Sequence, residues 1–163
     1  MKSILSVLVE NRSGVLARTA GLFARRGFNI ESLAVGETED PAISRMTIVV
    51  DGDERETQQV GKQMSKLVDV IKVKTLEAET STRRELALVK VHATEQTRGP
   101  IFDIVSIMKA DVVDLSPTTL TVEVCDRPER VNLLLDMLAP YGIAELARTG
   151  MVAMQKGAGE SVE

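Results

Sequence analysis

Apolar positions run almost unbroken through Ile4-Leu5-Ser6-Val7-Leu8-Val9, which predicts a buried strand over 3–9. The period then lengthens: Leu16, Ala20 and Phe23 fall at i, i+4 and i+7, predicting a helix over 14–26 with Gly27 as its stop. A strand is expected over 28–36, and Asp40-Pro41 marks a hairpin connection at 37–42. In the next strand, 43–50, Met46, Ile48 and Val50 alternate with Arg45 and Thr47, so one face should be buried. Asp51-Gly52-Asp53 turns into a helix over about 54–67, with Val60, Met64, Leu67 and Val68 on one stripe. A strand at 69–76 closes the series, with Ile71 and Val73 facing in and Lys72 and Lys74 facing out.

The order then repeats. Segment 77–84 is polar and charged and reads as a short linker, with 80–84 taken as the linker between domains. A strand over 86–93 precedes a helix opened by Gly99-Pro100, where Ile101, Val105 and Met108 share a face. Strands at 112–115 and 119–125 form a hairpin around Ser116-Pro117. Asp126 and Pro128 start the last helix, with Val131, Leu134, Leu135 and Leu138 at i, i+3, i+4 and i+7. Pro140 ends it, and one final strand is expected over 143–154. The pattern is two βαββαβ units in tandem, an α+β class. Each is a ferredoxin-like antiparallel sheet with two helices on one face. The expected division is 1–79, a linker at 80–84, a second domain at 85–156 and a flexible tail at 157–163.

Composition narrows what such units can do. The chain of 163 residues is 44% hydrophobic and 27% charged, so it is globular, yet its aromatics are only Phe23, Phe28, Phe102 and Tyr141. An aliphatic core follows, and the central strands lack the aromatics with which an RNA-recognition module stacks bases. The net charge is −4 and no basic run exceeds Arg25-Arg26 or Arg83-Arg84, which argues against nucleic acid as a partner. Cys125 is the only cysteine and ends an apolar alternation, so a buried inert thiol is expected. His92 is the only histidine and is expected to face solvent. Neither a metal-ligand spacing nor a catalytic constellation emerges, so no catalytic residue is assigned. Ser3, Ser6 and Glu10 interrupt the opening apolar run before a signal-peptide core is complete, and no run suits a membrane span. A cytoplasmic location is the expectation.

The candidate chemistry lies at Asn11-Arg12-Ser13-Gly14-Val15-Leu16, where a strand turns into a helix. A helix start carries unpaired N–H groups and a positive dipole end, which suit an anion. Gly14 has no side chain to hold a ligand off that backbone, and the Asn11 amide can donate to a carboxylate or accept from an ammonium. Those properties suit a free amino acid. They equally suit an ordinary turn, because Asn, Ser and Gly are common before helices.

Several segments, taken together, resemble one family. Ile4 to Asn11 followed by Ser13-Gly14-Val15-Leu16 is similar to the opening of an ACT domain, the ferredoxin-like amino-acid sensor. Leu22-Phe23-Ala24-Arg25-Arg26-Gly27-Phe28-Asn29-Ile30-Glu31-Ser32-Leu33 resembles the small regulatory subunit of acetolactate (acetohydroxyacid) synthase. So do Ser44-Arg45-Met46-Thr47-Ile48, Lys66-Leu67-Val68-Asp69-Val70, Leu88-Val89-Lys90-Val91 and Ala147-Arg148-Thr149-Gly150, in the family's order over residues 2–155.

The resemblance implies a regulatory chain with no catalytic residues of its own. It implies a branched-chain amino-acid site made by Asn11, Gly14, Val15 and Leu16 of one chain with Asn29 and Ile30 of another. Val15, Leu16, Ile30 and Leu33 would line its apolar side. Strand 28–36 would be a sheet edge, available to pair with its symmetric copy in a homodimer; for Asn29 an edge or turn role is the plain alternative. The implied partner is a catalytic large subunit carrying thiamine diphosphate, magnesium and FAD, activated by this chain and inhibited through it by valine or a related effector. A stand-alone amino-acid sensor is the alternative function. Arg148-Thr149-Gly150 reads either as a structural turn or as part of a partner-contacting end.

Overall fold

The computed structural model describes residues 2–158. Of the tail expected at 157–163, residues 159–163 lie outside the described range. The order is β1 (Lys2–Glu10), α1 (Val15–Arg26), β2 (Asn29–Glu37), β3 (Ile43–Asp51), α2 (Glu54–Ser65) and β4 (Val70–Leu76). It continues with β5 (Ser81–His92), α3 (Arg98–Ile107), β6 (Asp111–Leu115), β7 (Thr119–Asp126), α4 (Pro128–Leu138), β8 (Ile143–Arg148) and β9 (Val152–Gln155). The first sheet has the order β2-β3-β1-β4 and the second β6-β7-β5-β8. Both are the ferredoxin-like arrangement that the repeating pattern predicts, with β2 and β6 in equivalent edge positions.

In the first unit, Leu5, Val7, Val9, Met46, Ile48 and Val50 face Val15, Leu22, Phe23, Val60 and Met64 of the two helices. The helix α1 buries a face one residue away from the expected stripe: Val15 and Thr19 are inside, while Leu16 is 47% exposed. Thr19 tolerates burial because its hydroxyl donates to Val15 O at 2.9 Å. Helix α2 is fixed at its start by a capping box. The Asp53 carboxylate accepts from Glu56 N at 2.7 Å, and Glu56 accepts from Asp53 N at 2.9 Å. It ends at Ser65, so Val68 falls off the helical period and is 89% exposed rather than part of the stripe. Ile71 is also exposed, against expectation. The β1–β4 register shifts between Leu8 and Val9, and the irregularity lets Val70 and Val73 both pack on the core.

The second unit packs Ala87, Val89 and Val91 of β5 and Leu120, Val122 and Val124 of β7 against Ile101, Val105, Met108, Val131, Leu134 and Leu138. His92 faces solvent as expected. Cys125 is exposed, not buried: strict alternation sends its side chain away from Val124 and the core. At the start of α4, burial opposes ionisation of Asp126. The Arg130 hydrogen bond and the Arg127 backbone N–H outweigh it and lower its pKa. A hydrogen bond from Arg83 lowers that of Glu129.

Two boundaries differ from the sequence reading. Residues 81–84, expected as linker, are the first part of β5, and the units divide between Thr82 and Arg83. The single strand expected over 143–154 is two strands, broken at Gly150, whose φ of 82° few other residues adopt. Residues 151–158 belong to the first unit. There Met151 and Ala153 pack with Ile4, Val49 and Leu76 on the sheet face away from the helices.

Candidate functional site

The turn after β1 is fastened on both sides. Glu10 N donates to Asp69 O at 2.8 Å, and Asn11 N donates to Ala42 O at 2.8 Å. The Asn11 side chain stays exposed, and its Nδ2 donates to Glu37 Oε1 at 3.1 Å and Pro41 O at 3.0 Å. Both donors of the amide are thereby used on the chain itself. Among the described residues no hydrogen bond to its side-chain carbonyl oxygen is formed, so that oxygen can accept from a donor such as an ammonium.

Gly14 is the N-cap of α1 with φ 85° and ψ −7°, the left-handed region that favours glycine. No side chain caps this helix and its first turn has no acidic residue. The first full-turn bond runs from Arg18 N to Gly14 O at 3.0 Å, leaving the N–H groups of Leu16 and Ala17 pointing out of the helix start. The contrast with the capped start of α2 is direct.

Arg18 brings a further donor to this end, its charge balanced by Asp69. Its Nε and Nη2 donate to Asp69 Oδ2 at 2.7 and 2.5 Å, and the Asp69 side chain is only 7% exposed. A Cβ on Gly14 would lie 3.1 Å from Arg18 Nη1, so the guanidinium sits beside the helix start. The sequence reading missed this pair. The signal was an acidic residue, Asp69, set between the apolar Val68 and Val70, but its partner is 51 residues away. Asp69→Ala is expected to lower stability by about 1–2 kcal/mol, since it strands a charged donor that is still half in water. Urea unfolding measures that loss.

The remaining candidates divide by place. Asn11, Gly14 and Leu16 gather at this end of the sheet. Val15 stands at the same helix start, but its N–H donates to Arg12 O at 3.5 Å and its side chain is buried in the core, so it offers a ligand nothing within this chain. Ile30 and Leu33 are partly buried against the same core. Asn29 and Ile30 are elsewhere: Asn29 pairs with Asp51, which pairs with Lys2, whereas Ile43 pairs with Glu10 at the other end of β1. Eight residue steps along β1 separate those rows, about 27 Å. One chain therefore cannot bring Asn29 to Gly14. Among the described residues no cluster of His, Cys, Asp or Glu suits a metal ion, and no helix is long and apolar enough to cross a membrane.

Comparison with known proteins agrees along nearly the whole chain. Residues 5–72 match the family profile described as the AHAS small subunit-like ACT domain, and 84–157 match that described as the small subunit of acetolactate synthase. A probable acetolactate synthase small subunit of Archaeoglobus fulgidus is 52% identical over 96% of this chain and 98% of its own length. The acetolactate synthase small subunit of Mycolicibacterium smegmatis is 51% identical over 94% of this chain and 90% of its own. The crystal structure of the acetolactate synthase small subunit from Thermotoga maritima superposes with a TM-score of 0.90 at 38% identity. It covers 96% of this chain and 98% of that one.

Proposed function

We propose, from the premise that this chain belongs to the acetolactate synthase small-subunit family, that it activates the catalytic large subunit and makes it sensitive to feedback inhibition by valine or another branched-chain amino acid. The large subunit supplies the thiamine diphosphate, magnesium and FAD chemistry; this chain supplies the effector site.

The observation that carries the reading is the open start of α1. A helix end with outward N–H groups, no cap and an adjacent guanidinium favours the effector's carboxylate. A few ångströms back along the turn, the free Asn11 oxygen and the Glu37 carboxylate favour its ammonium. Half-exposed Leu16 offers apolar surface for a branched side chain. Glycine at position 14 keeps the approach clear.

A second copy supplies the rest. Among the described residues β2 pairs only with β3, so its outer edge is unpaired. Leu33 is the middle of the nine-residue strand, and an antiparallel pairing of two β2 strands centred on it sets Asn29 of one copy opposite Glu37 of the other. Glu37 already accepts from Asn11, so Asn29 of the second copy reaches the Asn11 turn. Such a homodimer holds two equivalent sites, each shared between copies.

Reconstitution with a large subunit tests the function: acetolactate formation should rise on adding this chain and fall again with valine. Failure to bind or activate the large subunit would overturn the reading in favour of a stand-alone sensor. Asn11→Ala and Asn29→Ala are each expected to weaken valine binding by about 1–3 kcal/mol, if each amide makes one charge-assisted bond. Calorimetry gives the number. The pocket distinguishes valine, leucine and isoleucine only by methylene-scale differences, worth about 1–3 kcal/mol.

A further inference from the structure

The Arg18–Asp69 pair uses only one edge of the guanidinium. Nε and Nη2 both donate to the same oxygen, Asp69 Oδ2. Among the described residues no hydrogen bond is made from Nη1, so its N–H groups are left for another acceptor. Nη1 is also the atom that a Cβ on Gly14 would meet first, at 3.1 Å. The unused end of the guanidinium therefore lies at the open start of α1.

Both ends of the pair are held. Arg18 stands in the first turn of α1, where its own N–H donates to Gly14 O at 3.0 Å. Asp69 lies just before β4, and its main-chain oxygen accepts from Glu10 N at 2.8 Å, which ties it to the end of β1. Val70 N donates to Leu67 O at 3.1 Å and closes a turn beside it. The Asp69 side chain is 7% exposed against 50% for Arg18, so the carboxylate is the fixed member and the guanidinium the one that reaches water. A guanidinium is planar, and bonding along its Nε–Nη2 edge also sets the direction of Nη1.

Net charge is not what this pair adds, because Asp69 balances Arg18. It adds direction: donors fixed before a ligand arrives need no ordering when it binds. The N–H groups of Leu16 and Ala17 together with Nη1 offer donors to both oxygens of a carboxylate. A carboxamide in that place has one oxygen and an NH2 group, which is itself a donor and leaves part of the set unpaired.

We infer, taking the effector site proposed above as given, that Arg18 restricts this site to ligands with a free α-carboxylate and that buried Asp69 is the positioning residue that aims it. The ligand class is then the unmodified α-amino acid. Its amides and the N-terminal residue of a peptide are rejected.

Calorimetry on the full chain with L-valine and L-valinamide tests this, at about pH 6.5, where both amino groups carry a proton. The wild type should bind L-valine about thirtyfold more tightly than L-valinamide, from the loss of charge-assisted bonds. Arg18→Lys keeps the charge and the ion pair, but an ammonium has no second fixed edge. It should lose about tenfold in affinity for L-valine and less than about twofold for L-valinamide. Asp69→Ala separates aim from charge, since it raises the net positive charge at the helix start while releasing the guanidinium. The preference for L-valine should fall by about threefold or more in that variant. A preference that holds or rises in Asp69→Ala would overturn the positioning role. Equal weakening of both ligands in Arg18→Lys, or weakening of neither, would overturn the specificity role and leave Arg18 as a stabilising ion pair. If Asp69→Ala does not fold, Arg18→Lys alone decides. A wild type that binds the two ligands equally would overturn the inference and keep the effector site, whereas one that binds neither would overturn the site itself.

Discussion

A Gly14→Asp substitution is expected to leave the proposed activation of the large subunit in place and to remove most of the proposed inhibition by valine. The new carboxylate would sit beside the N–H groups of Leu16 and Ala17 and the Arg18 guanidinium, whose Nη1 lies 3.1 Å from the Cβ position. It would occupy the place proposed for the effector's carboxylate, excluding it by volume and by charge. The backbone at φ 85° makes the substitution cost about 1 kcal/mol, since aspartate is among the few L residues that tolerate the left-handed region. Capping the helix end offsets part of that cost. Losing the charge-assisted bonds to the effector should raise the valine concentration for half-inhibition by about ten- to a hundredfold, corresponding to roughly 1.5–3 kcal/mol. Gly14→Ala separates the causes, because it carries at least as much backbone strain without the charge. Undiminished valine sensitivity in a folded, activating Gly14→Asp chain would place the effector elsewhere.

Val35→Asp should convert the chain to a monomer in sedimentation experiments and abolish its valine response. Val35 lies in the outer half of β2 and is 46% exposed, so the substitution costs the isolated fold little. At a β2–β2 seam the effect is larger. Symmetry places each new carboxylate within the same short ladder, and an edge charge is a common way to prevent such pairing. Because each effector site is expected to take its turn from one copy and its strand from the other, separation empties both sites together. A monomer that still bound valine with wild-type affinity would contradict the shared site.

Much of this was legible in the sequence because the two units repeat one order of hydrophobic periods. Periodicity located every helix and most strands, missing the early start of β5 and the division of the last strand into β8 and β9, and the stripe of α4 fell as read. Failures occurred where a distant or local exception overrode the period. Thr19 could be buried because it bonds within its own helix, which turned Leu16 outward and towards the candidate site. A bulge in the β1–β4 pairing exposed Ile71, and the early end of α2 exposed Val68. Gly150 read as one glycine in a strand, yet it marks the crossing where the chain changes units. At the candidate site, Asn11 and Gly14 were readable because turn chemistry is local. Arg18 and Asp69 were not, since ion pairs between distant segments leave no periodic trace.

Mixing two defective chains tests the shared effector site most directly. Gly14→Asp damages the turn half of a site and Asn29→Ala the strand half, so each variant alone should show few high-affinity valine sites by calorimetry. In a mixed dimer one site carries both substitutions and the other carries neither. Random exchange in an equimolar mixture makes about half of the dimers mixed, which restores about one high-affinity site in four. Recovery to that level is the expected result. No recovery on mixing, with chain exchange verified, would mean that the effector is held within one copy and that the site shared across β2 does not exist.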